Sequence, residues 1–193
     1  MIDETVRAIR SGEPVILPTD TVYGLCSDPL AEAPVRCLYR LKGRRDVQPT
    51  ALVAANADAV VNAIPELDGQ PLLTGPYTLI LANPARRLPW LTGNRSETIG
   101  VRIPELAGDA AAVLQRVGVV AATSANRPGG RDPRTIDEIP EELLAGCGAV
   151  VDAGELPGTP STVLDLTGRE PVVVREGAVP RAAALERVRE LAR

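Results

Sequence analysis

The chain has 193 residues and a net charge of −4; 45% of its residues are hydrophobic, aromatic residues make up 2%, and phenylalanine is absent. This length and composition predict a single domain over residues 1–193 with an aliphatic core. The complete absence of histidine excludes Ser-His-Asp and Cys-His catalysis and every His-ligated zinc site.

Other bulk properties narrow the class of protein further. The three cysteines, Cys26, Cys37 and Cys147, are odd in number and have no paired spacing, which argues against a disulfide framework. No apolar run is long enough to cross a bilayer and the start of the chain does not resemble a signal peptide, so we predict a cytoplasmic protein without a membrane partner. The acidic balance disfavours a general nucleic-acid binder, because such proteins usually carry a basic surplus.

The first half of the chain alternates helix and strand signals, with glycine or proline at many boundaries. The predicted elements are a helix over residues 3–10, a strand over 15–17, a helix from Pro34 to Gly43, a strand over 51–55, a helix over 57–63 capped by Asn56, and a strand over 77–81. Residues 83–97 are polar and irregular, and we expect Trp90 to anchor this stretch on the core.

The second half continues the alternation and closes with a hairpin. The predicted elements are a strand over 98–104, a helix over 110–117 capped by Asp109, a strand over 119–123, a helix opened by the capping-box pair Thr135 and Glu138, a strand over 149–152, a hairpin of 161–166 with 172–177, and a helix after Pro180. In the last helix, Leu185, Val188 and Leu191 are predicted to face inward. This order favours an α/β fold with a mixed sheet covered by helices.

Polar, glycine-rich or basic loops follow several of these elements. The first begins where the strand over 15–17 meets Pro18 and runs through Thr19, Asp20 and Thr21 to Gly24. Further polar loops cover residues 42–49, 124–133 and 154–160. Polar loops at strand ends are a common ligand site in α/β proteins, whereas the alternative for the first loop is an ordinary strand end with solvated turn residues.

Basic side chains recur at or beside the ends of predicted elements. They are those of Lys42, Arg44, Arg102 and Arg175. Arginine recognises carboxylate and phosphate bidentately, and lysine binds phosphate as a point charge. Arg102 shares one strand face with Thr98 and Gly100, which predicts a ligand-facing surface. Neutral hydrogen bonds are available from Thr19, Thr21, Ser124, Asn126 and Ser161.

The chain lacks the usual signatures of covalent or P-loop chemistry. It contains no nucleophile paired with a base, no G-x-x-x-x-G-K-[ST] and no G-x-G-x-x-G. The predicted site therefore binds and orients anions, and its catalysis would be positioning plus charge stabilisation of a phosphoryl or nucleotidyl transfer. Any metal would be held by oxygens, which points to a nucleotide-borne Mg²⁺.

Taken together, the motifs resemble those of the YrdC/Sua5 family. The segments that carry the resemblance occur in the family's order and span essentially the whole chain: Pro18-Thr19-Asp20-Thr21-Val22-Tyr23-Gly24-Leu25, Lys42-Gly43-Arg44, Val101-Arg102, Ser124-Ala125-Asn126, Ser161-Thr162-Val163 and Arg175. Several separated motifs in order are far more specific than any one of them. The resemblance implies a YrdC-like α/β domain, a twisted mixed β-sheet flanked by helices with a ligand-binding concave face.

The resemblance also implies an activity, that of an L-threonylcarbamoyladenylate synthase. Such a nucleotidyltransferase combines L-threonine, bicarbonate and ATP into threonylcarbamoyl-AMP and pyrophosphate, the first step of the threonylcarbamoyl modification of tRNA adenosine. Mg²⁺ would be held mainly by the ATP phosphates, and the product would pass to a downstream tRNA threonylcarbamoyl transferase complex through transient contact.

The family's functional residues carry over to matching positions of this sequence. The implied catalytic residues are Lys42 and Arg44. The implied threonine contacts are Thr21, Arg102 and Ala122. The implied ATP contacts are Lys42, Arg44, Gln48, Thr98, Ser124, Asn126, Asp132, Ser161 and Arg175.

Some positions depart from the family pattern. Gln48 stands where the family often has lysine, Asp132 where it often has serine, and Val53 where many members have a polar residue, while the segment through Thr74-Gly75-Pro76 replaces Trp-Pro-Gly-Pro. These departures leave two alternatives open. One is a divergent paralogue that acts on another carbamoyl compound, and the other is an RNA-binding module that uses the same basic concavity for weak RNA binding. Cys26 is expected to be a buried, reduced thiol.

Overall fold

The computed structural model describes residues 1–45 and 47–191. The helices in this part of the chain are α1 (Ile2–Arg10), α2 (Glu32–Lys42), α3 (Ala57–Ala63), α4 (Gly108–Val117), α5 (Glu141–Ala145) and α6 (Arg181–Leu191). The strands are β1 (Val15–Pro18), β2 (Tyr23–Ser27), β3 (Ala51–Ala54), β4 (Tyr77–Ala82), β5 (Thr98–Arg102), β6 (Val119–Ser124), β7 (Ala149–Val150), β8 (Thr162–Asp165) and β9 (Val172–Arg175). None of these helices has the length and apolarity needed to cross a membrane.

The described strands form one mixed sheet in the order β7-β1-β2-β6-β3-β5-β4-β8-β9. The pairs β1–β7, β3–β5 and β4–β8 are parallel, and the other neighbours are antiparallel. This arrangement confirms the predicted mixed α/β architecture. It also brings β2, β6, β3 and β5 side by side, although they are far apart in the sequence.

One face of the sheet carries the larger core. Leu25 of β2, Leu52 of β3 and Leu79 of β4 are buried there, beneath residues of α2, α3, α5 and α6. The buried residues of this cluster are aliphatic apart from Tyr23 and Tyr39. The aliphatic core predicted from the composition is therefore confirmed.

The opposite face is covered by α1 and α4 over only part of its area. Val6 of α1 and Val113 of α4 pack there against Val15, Val53 and Val120 of the sheet. The remainder of this face, across β2, β6, β3, β5, β4 and β8, borders a cavity. The open part of the sheet is thus the place where the fold can receive a ligand.

β2 is a strand that the sequence analysis assigned to a loop. β1 and β2 pair antiparallel from Val15 opposite Cys26 to Pro18 opposite Tyr23, so residues 19–22 alone connect them. The prediction of a polar loop from Pro18 to Gly24 was therefore wrong at Pro18, which belongs to β1, and beyond residue 22. All five residues of β2 are buried, and a strand buried on both faces lacks the polar–apolar alternation that reveals most strands.

Two helix starts also differ from prediction. α2 begins at Glu32 rather than at Pro34, because proline is tolerated in the first turn, where its missing N–H is not needed. α4 begins at Gly108, and Asp109 makes no side-chain cap. Asp109 lies instead in the first turn, where its negative charge is favourable to the helix dipole.

Two predictions in the last third of the chain were wrong. Thr135 makes no side-chain cap, and only a 3₁₀ turn, Ile136–Glu138, follows it. The carboxylate of Glu138 accepts instead from the backbone N–H of Arg134 at 2.7 Å. In α6 the side chain of Leu191 is 45% exposed, so it does not belong to the inner face of that helix.

Other local predictions are confirmed. Asn56 caps α3 by accepting from the backbone N–H of Ala59 at 2.8 Å. The hairpin of β8 and β9 forms as an antiparallel pair. The indole N–H of Trp90 donates to the carbonyl of Pro29 at 2.8 Å, and the side chain packs against the main core, so it anchors the irregular stretch.

Candidate active site

The floor of the cavity is made of small residues on four adjacent strands. They are Gly24 of β2, Ala122 of β6, Ala51 of β3 and Gly100 of β5. Ala51 is the direct partner of Ala122 across β3 and β6. Gly100 has no side chain to project into the cavity, and a Cβ placed on it would lie at an ordinary contact distance of 3.8 Å from the Cα of Ala51. A ligand in this cavity of about 590 Å³ can therefore lie close to the sheet backbone.

Positive charge dominates the walls of the cavity. The side chains of four arginines line it: Arg44, Arg95, Arg102 and Arg175. Asp132 is the one acidic side chain among the described lining residues. This balance favours an anionic ligand, in spite of the net negative charge of the chain.

Arg102 is the most buried of these arginines. Its side chain belongs to β5, opposite Val53 of β3, and the residue is 9% exposed. Nη2 donates to the hydroxyl of Thr21 at 2.8 Å and pairs with the carboxylate of Asp20. Burial lowers the pKa of Arg102, and the charge of Asp20 opposes that shift. Nε of Arg102 is buried and has no hydrogen-bond partner among the described residues, while the residue as a whole lines the cavity.

The connection between β1 and β2 presents Thr21 to the same cavity. Oγ1 of Thr19 lies 2.9 Å from Oγ1 of Thr21 and donates to the carbonyl of Val22 at 2.7 Å. The carbonyl of Thr21 accepts from the backbone N–H of Gly158 at 2.8 Å. These hydrogen bonds close the four-residue turn on itself and fix the position of Thr21.

Arg44 reaches the cavity from the end of α2. Gly43 ends that helix in the left-handed conformation with φ 68°, which glycine adopts readily, and the turn directs the next residue toward the sheet. Nη1 of Arg44 donates to the hydroxyl of Thr123 at 2.7 Å, and Nη2 donates to the carbonyl of Pro49. Burial lowers the pKa of Arg44.

Lys42 lies behind this wall and does not line the cavity. The residue is 6% exposed. Its Nζ donates to Oδ1 of Asn126 at 2.7 Å and to the carbonyl of Ser124. Burial, followed by the nearby charge of Arg44, lowers the pKa of Lys42 to about 8. Lys42 thus holds the loop that follows β6.

Asn126 completes that loop. Its Nδ2 donates to the carbonyl of Gly130 at 2.7 Å and to Oδ1 of Asp132 at 3.0 Å. The hydroxyl of Ser124 donates to Oδ1 of the same amide at 2.8 Å. Ser124 and Asp132 line the cavity, whereas Asn126 stands behind them.

Arg175 enters from β9, an edge strand of the described sheet. Its Nη2 donates to the carbonyl of Ser161 at 2.8 Å, and the hydroxyl of Ser161 lies 2.8 Å from that of Thr78. The turn after β9 is held by Thr162, whose Oγ1 accepts from the backbone N–H of Gly177 at 3.0 Å. Arg175 therefore depends on contacts within the last hairpin.

Most of the predicted site residues meet in this one cavity. Those that line it are Thr21, Arg44, Thr98, Arg102, Ala122, Ser124, Asp132, Ser161 and Arg175. Those that do not are Lys42, Gln48 and Asn126. Their roles toward threonine and ATP stay predictions.

The sequence analysis did not assign several polar residues that also line the cavity. They are Thr50, Thr78, Thr92, Asn94, Arg95 and Thr123. Thr123 directly precedes the Ser124-Ala125-Asn126 motif. This adjacency is the one sequence signal that could have identified Thr123 as a site residue. The others are brought to the cavity by strand pairing and by the packing of the irregular stretch, which a linear motif does not reveal.

The thiol of Cys26, directly after the first loop motif, takes no part in the site. Cys26 is 1% exposed and packs with the second core. Burial raises its pKa to about 12, so the nucleophilic thiolate is not populated near neutral pH. The prediction of a buried, reduced thiol is confirmed.

Comparison with known proteins places this arrangement in a family. The model of the Sua5/YciO/YrdC family, described as "Telomere recombination", matches residues 7–177. A Methanocaldococcus jannaschii protein that provisionally carries the name threonylcarbamoyl-AMP synthase is 30% identical over an alignment of 182 residues. The match covers 90% of this chain and 84% of that protein. The threonylcarbamoyl-AMP synthase of Pyrococcus abyssi is 32% identical over 89% of this chain and 52% of its own length.

Solved structures agree with these relatives. The crystal structure of P. abyssi Sua5 complexed with L-threonine matches 98% of this chain with a TM-score of 0.82 and 30% identity. The chain spans 56% of that structure, about half of its length. The crystal structure of Escherichia coli YciO matches 93% of this chain and 90% of its own, with a TM-score of 0.77 and 25% identity. By sequence and by fold, the chain belongs to the Sua5/YciO/YrdC family.

Proposed function

We propose that this chain is an L-threonylcarbamoyl-AMP synthase, which forms threonylcarbamoyl-AMP and pyrophosphate from L-threonine, bicarbonate and ATP. The observation that carries the proposal is the convergence of Arg44, Arg102 and Arg175 on one cavity of about 590 Å³. The substrates bring a carboxylate and a triphosphate to the same place, and guanidinium groups bind both kinds of anion bidentately. Relatives that carry this name match most of the chain, which supports the proposal.

The amino acid is proposed to bind at the end of the cavity formed by Thr21, Arg102 and Ala122. Arg102 lines the cavity and is proposed to pair with the threonine carboxylate through its guanidinium group. Ala122 leaves room above the sheet, and the hydroxyl of Thr21 is fixed beside the guanidinium. The P. abyssi relative whose structure contains L-threonine supports this assignment.

ATP is proposed to occupy the remaining length of the cavity. Arg44 and Ser124 would contact the phosphates, while Arg175 and Ser161 line the far end with Thr98. Further ATP contacts are proposed for Gln48 and Asp132, and the proposed roles of Lys42 and Asn126 are to hold the phosphate-binding loop in shape.

The proposed chemistry needs no covalent enzyme intermediate. The nitrogen of threonine forms a bond to the carbon of bicarbonate, with release of one water and one proton. A carbamate oxygen then attacks the α-phosphorus of ATP, and the bond from that phosphorus to pyrophosphate breaks. The chain has no histidine, and no cysteine lines the described cavity, so its residues act by positioning the reactants and stabilising the charge that develops on phosphate.

Mg²⁺ enters this proposal as the cation that accompanies ATP. The described residues contain no cluster of three or more His, Cys, Asp or Glu that could hold a metal. Mg²⁺ favours oxygen ligands and usually keeps waters and substrate phosphates around it, so the residues fit a nucleotide-bound ion. Bound there, it would neutralise phosphate charge, and Asp132 and Ser124 are the lining side chains that would contact its water shell.

The reaction is a nucleotidyl transfer, because the AMP moiety moves from pyrophosphate to the carbamate oxygen. We assign the enzyme to the nucleotidyltransferases on this ground and place it in the cytoplasm, where ATP and tRNA are available. Its product is a reactive mixed anhydride, and we propose that a tRNA threonylcarbamoyl transferase complex takes it up through transient contact.

The direct test is a mass-spectrometric search for threonylcarbamoyl-AMP after incubation of the purified chain with ATP, Mg²⁺, L-threonine and bicarbonate. ¹³C-labelled bicarbonate should shift the product mass by the isotope increment, and pyrophosphate should appear in equal amount. Reactions with L-serine in place of L-threonine, or without bicarbonate, are the controls. Binding of ATP without a threonine-dependent product would overturn the proposal and favour a paralogue that acts on another carbamoyl compound.

A further inference from the structure

Asp20, a carboxylate that does not line the cavity, pairs with the arginine proposed to bind the amino acid. Asp20 uses Oδ1 to pair with Nη2 of Arg102, and its Oδ2 accepts from the backbone N–H of Glu105 at 3.1 Å. Both carboxylate oxygens are therefore occupied by protein donors. The side chains of Asp20 and Arg102 are 12% and 10% exposed, so this pair is largely shielded from solvent.

The contact joins two separate parts of the site. Asp20 belongs to the turn between β1 and β2, whereas Glu105 follows the end of β5. Through Asp20 the turn that carries Thr21 is tied to the strand that carries Arg102. The hydroxyl of Thr21 accepts from the same Nη2 at 2.8 Å, so Asp20 and Thr21 together fix one end of a guanidinium that lines the cavity.

The guanidinium would not hold this orientation by itself. Arginine has several rotatable bonds, and burial opposes its charge. A charge-assisted hydrogen bond to a carboxylate with its own fixed position offsets that penalty and selects one rotamer.

We propose that Asp20 is a positioning residue for the amino acid substrate, fixing the guanidinium of Arg102 so that the part of it that lines the cavity meets the substrate carboxylate. This inference rests on the proposed function and deepens it. Asp20 itself touches neither substrate. Its removal should weaken L-threonine binding selectively, because ATP is bound by other residues.

Two possible roles of Asp20, orienting Arg102 and screening its charge, predict opposite changes in KM for L-threonine. If Asp20 only screened Arg102, its neutralisation would strengthen the attraction of the guanidinium for a carboxylate and lower KM for L-threonine. If Asp20 orients Arg102, its neutralisation raises KM. The sign of the change therefore separates the two roles.

The test is Asp20→Asn, which keeps the shape of the side chain and removes its charge. We expect KM for L-threonine to rise about 10- to 100-fold, the range that corresponds to loss of one charge-assisted hydrogen bond, with KM for ATP and kcat within about threefold of wild type. An unchanged or lowered KM for L-threonine would overturn the inference, and so would an equal rise in both KM values, since that would indicate general disruption.

Two further measurements keep the result interpretable. Asp3→Asn removes the carboxylate of another Asp–Arg pair, Asp3 with Arg116 on the exposed surface, and should leave both KM values unchanged. In an Arg102→Lys background, Asp20→Asn should have much less effect than in wild type, because the group that it positions is gone. Full additivity of the two substitutions would contradict the proposed route through Arg102.

Failure of the proposed function can be distinguished from failure of the inference about Asp20. Should the wild-type chain form no threonine-dependent product, calorimetric titration with L-threonine would replace KM as the readout, with ATP titration as the check of folding. Tight L-threonine binding to wild type and weak binding to Asp20→Asn would then support the inference without the activity. If Asp20→Asn also fails to bind ATP, Asp20→Glu is the second variant, and its L-threonine affinity should lie between those of wild type and Arg102→Lys.

Discussion

The guanidinium of Arg44 donates to the hydroxyl of Thr123 across 2.7 Å and so joins the end of α2 to the end of β6. This contact sets the position of a cation on the cavity wall, next to the loop that Lys42 holds from behind. This part of the cavity wall therefore consists of the end of α2 and the end of β6, which are some 80 residues apart in the chain. The hydrogen bond between Arg44 and Thr123 holds the two ends in their relative positions.

Removal of the Arg44 side chain should disable adenylate formation. Arg44→Ala is expected to lower kcat/KM for ATP by a factor that corresponds to about 2–4 kcal/mol of transition-state stabilisation, because a phosphate-directed cation is lost. Arg45 belongs to the same loop but is exposed and does not line the cavity, so Arg45→Ala is the matched control and should retain activity. Equal losses in both variants would contradict the site assignment.

Lys42 should give the activity a pH dependence in the alkaline range. Its pKa is lowered to about 8 by burial, and the charged form donates to several oxygens of the following loop. kcat/KM for ATP should therefore fall as the pH rises through about 8, and the activity of Lys42→Met should be low and lack this limb. A wild-type profile that stays flat to pH 9.5 would show that the charge of Lys42 is not needed.

Deprotonation of Lys42 should affect stability in the opposite direction from activity: the activity falls as the pH rises, whereas the contribution of Lys42 to stability increases. In the unfolded chain Lys42 keeps its proton up to its ordinary value of 10.5, whereas the folded chain releases it near 8. The unfolded state thus binds more protons between these values, and the contribution of Lys42 to the free energy of unfolding rises with pH across that window. The difference in unfolding free energy between wild type and Lys42→Met, measured by urea denaturation at several pH values, checks this trend.

Gly100 offers a way to separate folding from binding. A Cβ at this position would meet Ala51 and Thr78 at ordinary contact distances of 3.8 and 3.9 Å, so the sheet can accept a side chain there. Gly100→Val should keep the melting temperature near that of wild type, since β-branched residues suit strands, yet its methyl groups would occupy the cavity floor. We expect calorimetry to show ATP and L-threonine affinity reduced more than tenfold (roughly 1.4 kcal/mol), and Gly100→Ala to lie between.

The cysteines should differ in reactivity. Because burial raises the pKa of Cys26 to about 12, iodoacetamide should leave it unmodified in the native protein and modify it only after unfolding. Cys37 is more accessible and should react first. Peptide mass mapping after timed labelling distinguishes the two, and early native labelling of Cys26 with loss of activity would contradict its structural role.

The sequence predicted which residue types form the site better than it predicted how the fold brings them together. Arg102, with Thr98 and Gly100 on one strand face, follows directly from the period of a β-strand, and these residues do line the cavity. The order of the motifs along the chain was also sufficient to identify the family. Thr78 and Asn94 were not foreseen, because they reach the cavity only through pairing of β4 with β5 and β8 and through packing of the irregular stretch.

The missed strand β2 has a related physical cause. Tyr23 to Ser27 are buried on both faces, and the hydroxyl-rich turn before them suggested a longer loop. Lys42 illustrates the converse problem. Its residue type and motif predict direct contact with ATP, but burial behind Ser124 depends on how α2 meets β6, and this packing is not encoded in any local pattern.

Arg175 is supplied by the outermost strand beside β8, and its partner Ser161 precedes that same hairpin. Edge hairpins exchange their amide hydrogens through local openings that need less free energy than global unfolding. Each opening would withdraw one of the arginines that line the cavity, so nucleotide binding and closure of the last hairpin are thermodynamically linked. Amides of β8 and β9 should consequently gain more protection from hydrogen exchange on ATP binding than those of β3 and β6 at the centre of the sheet.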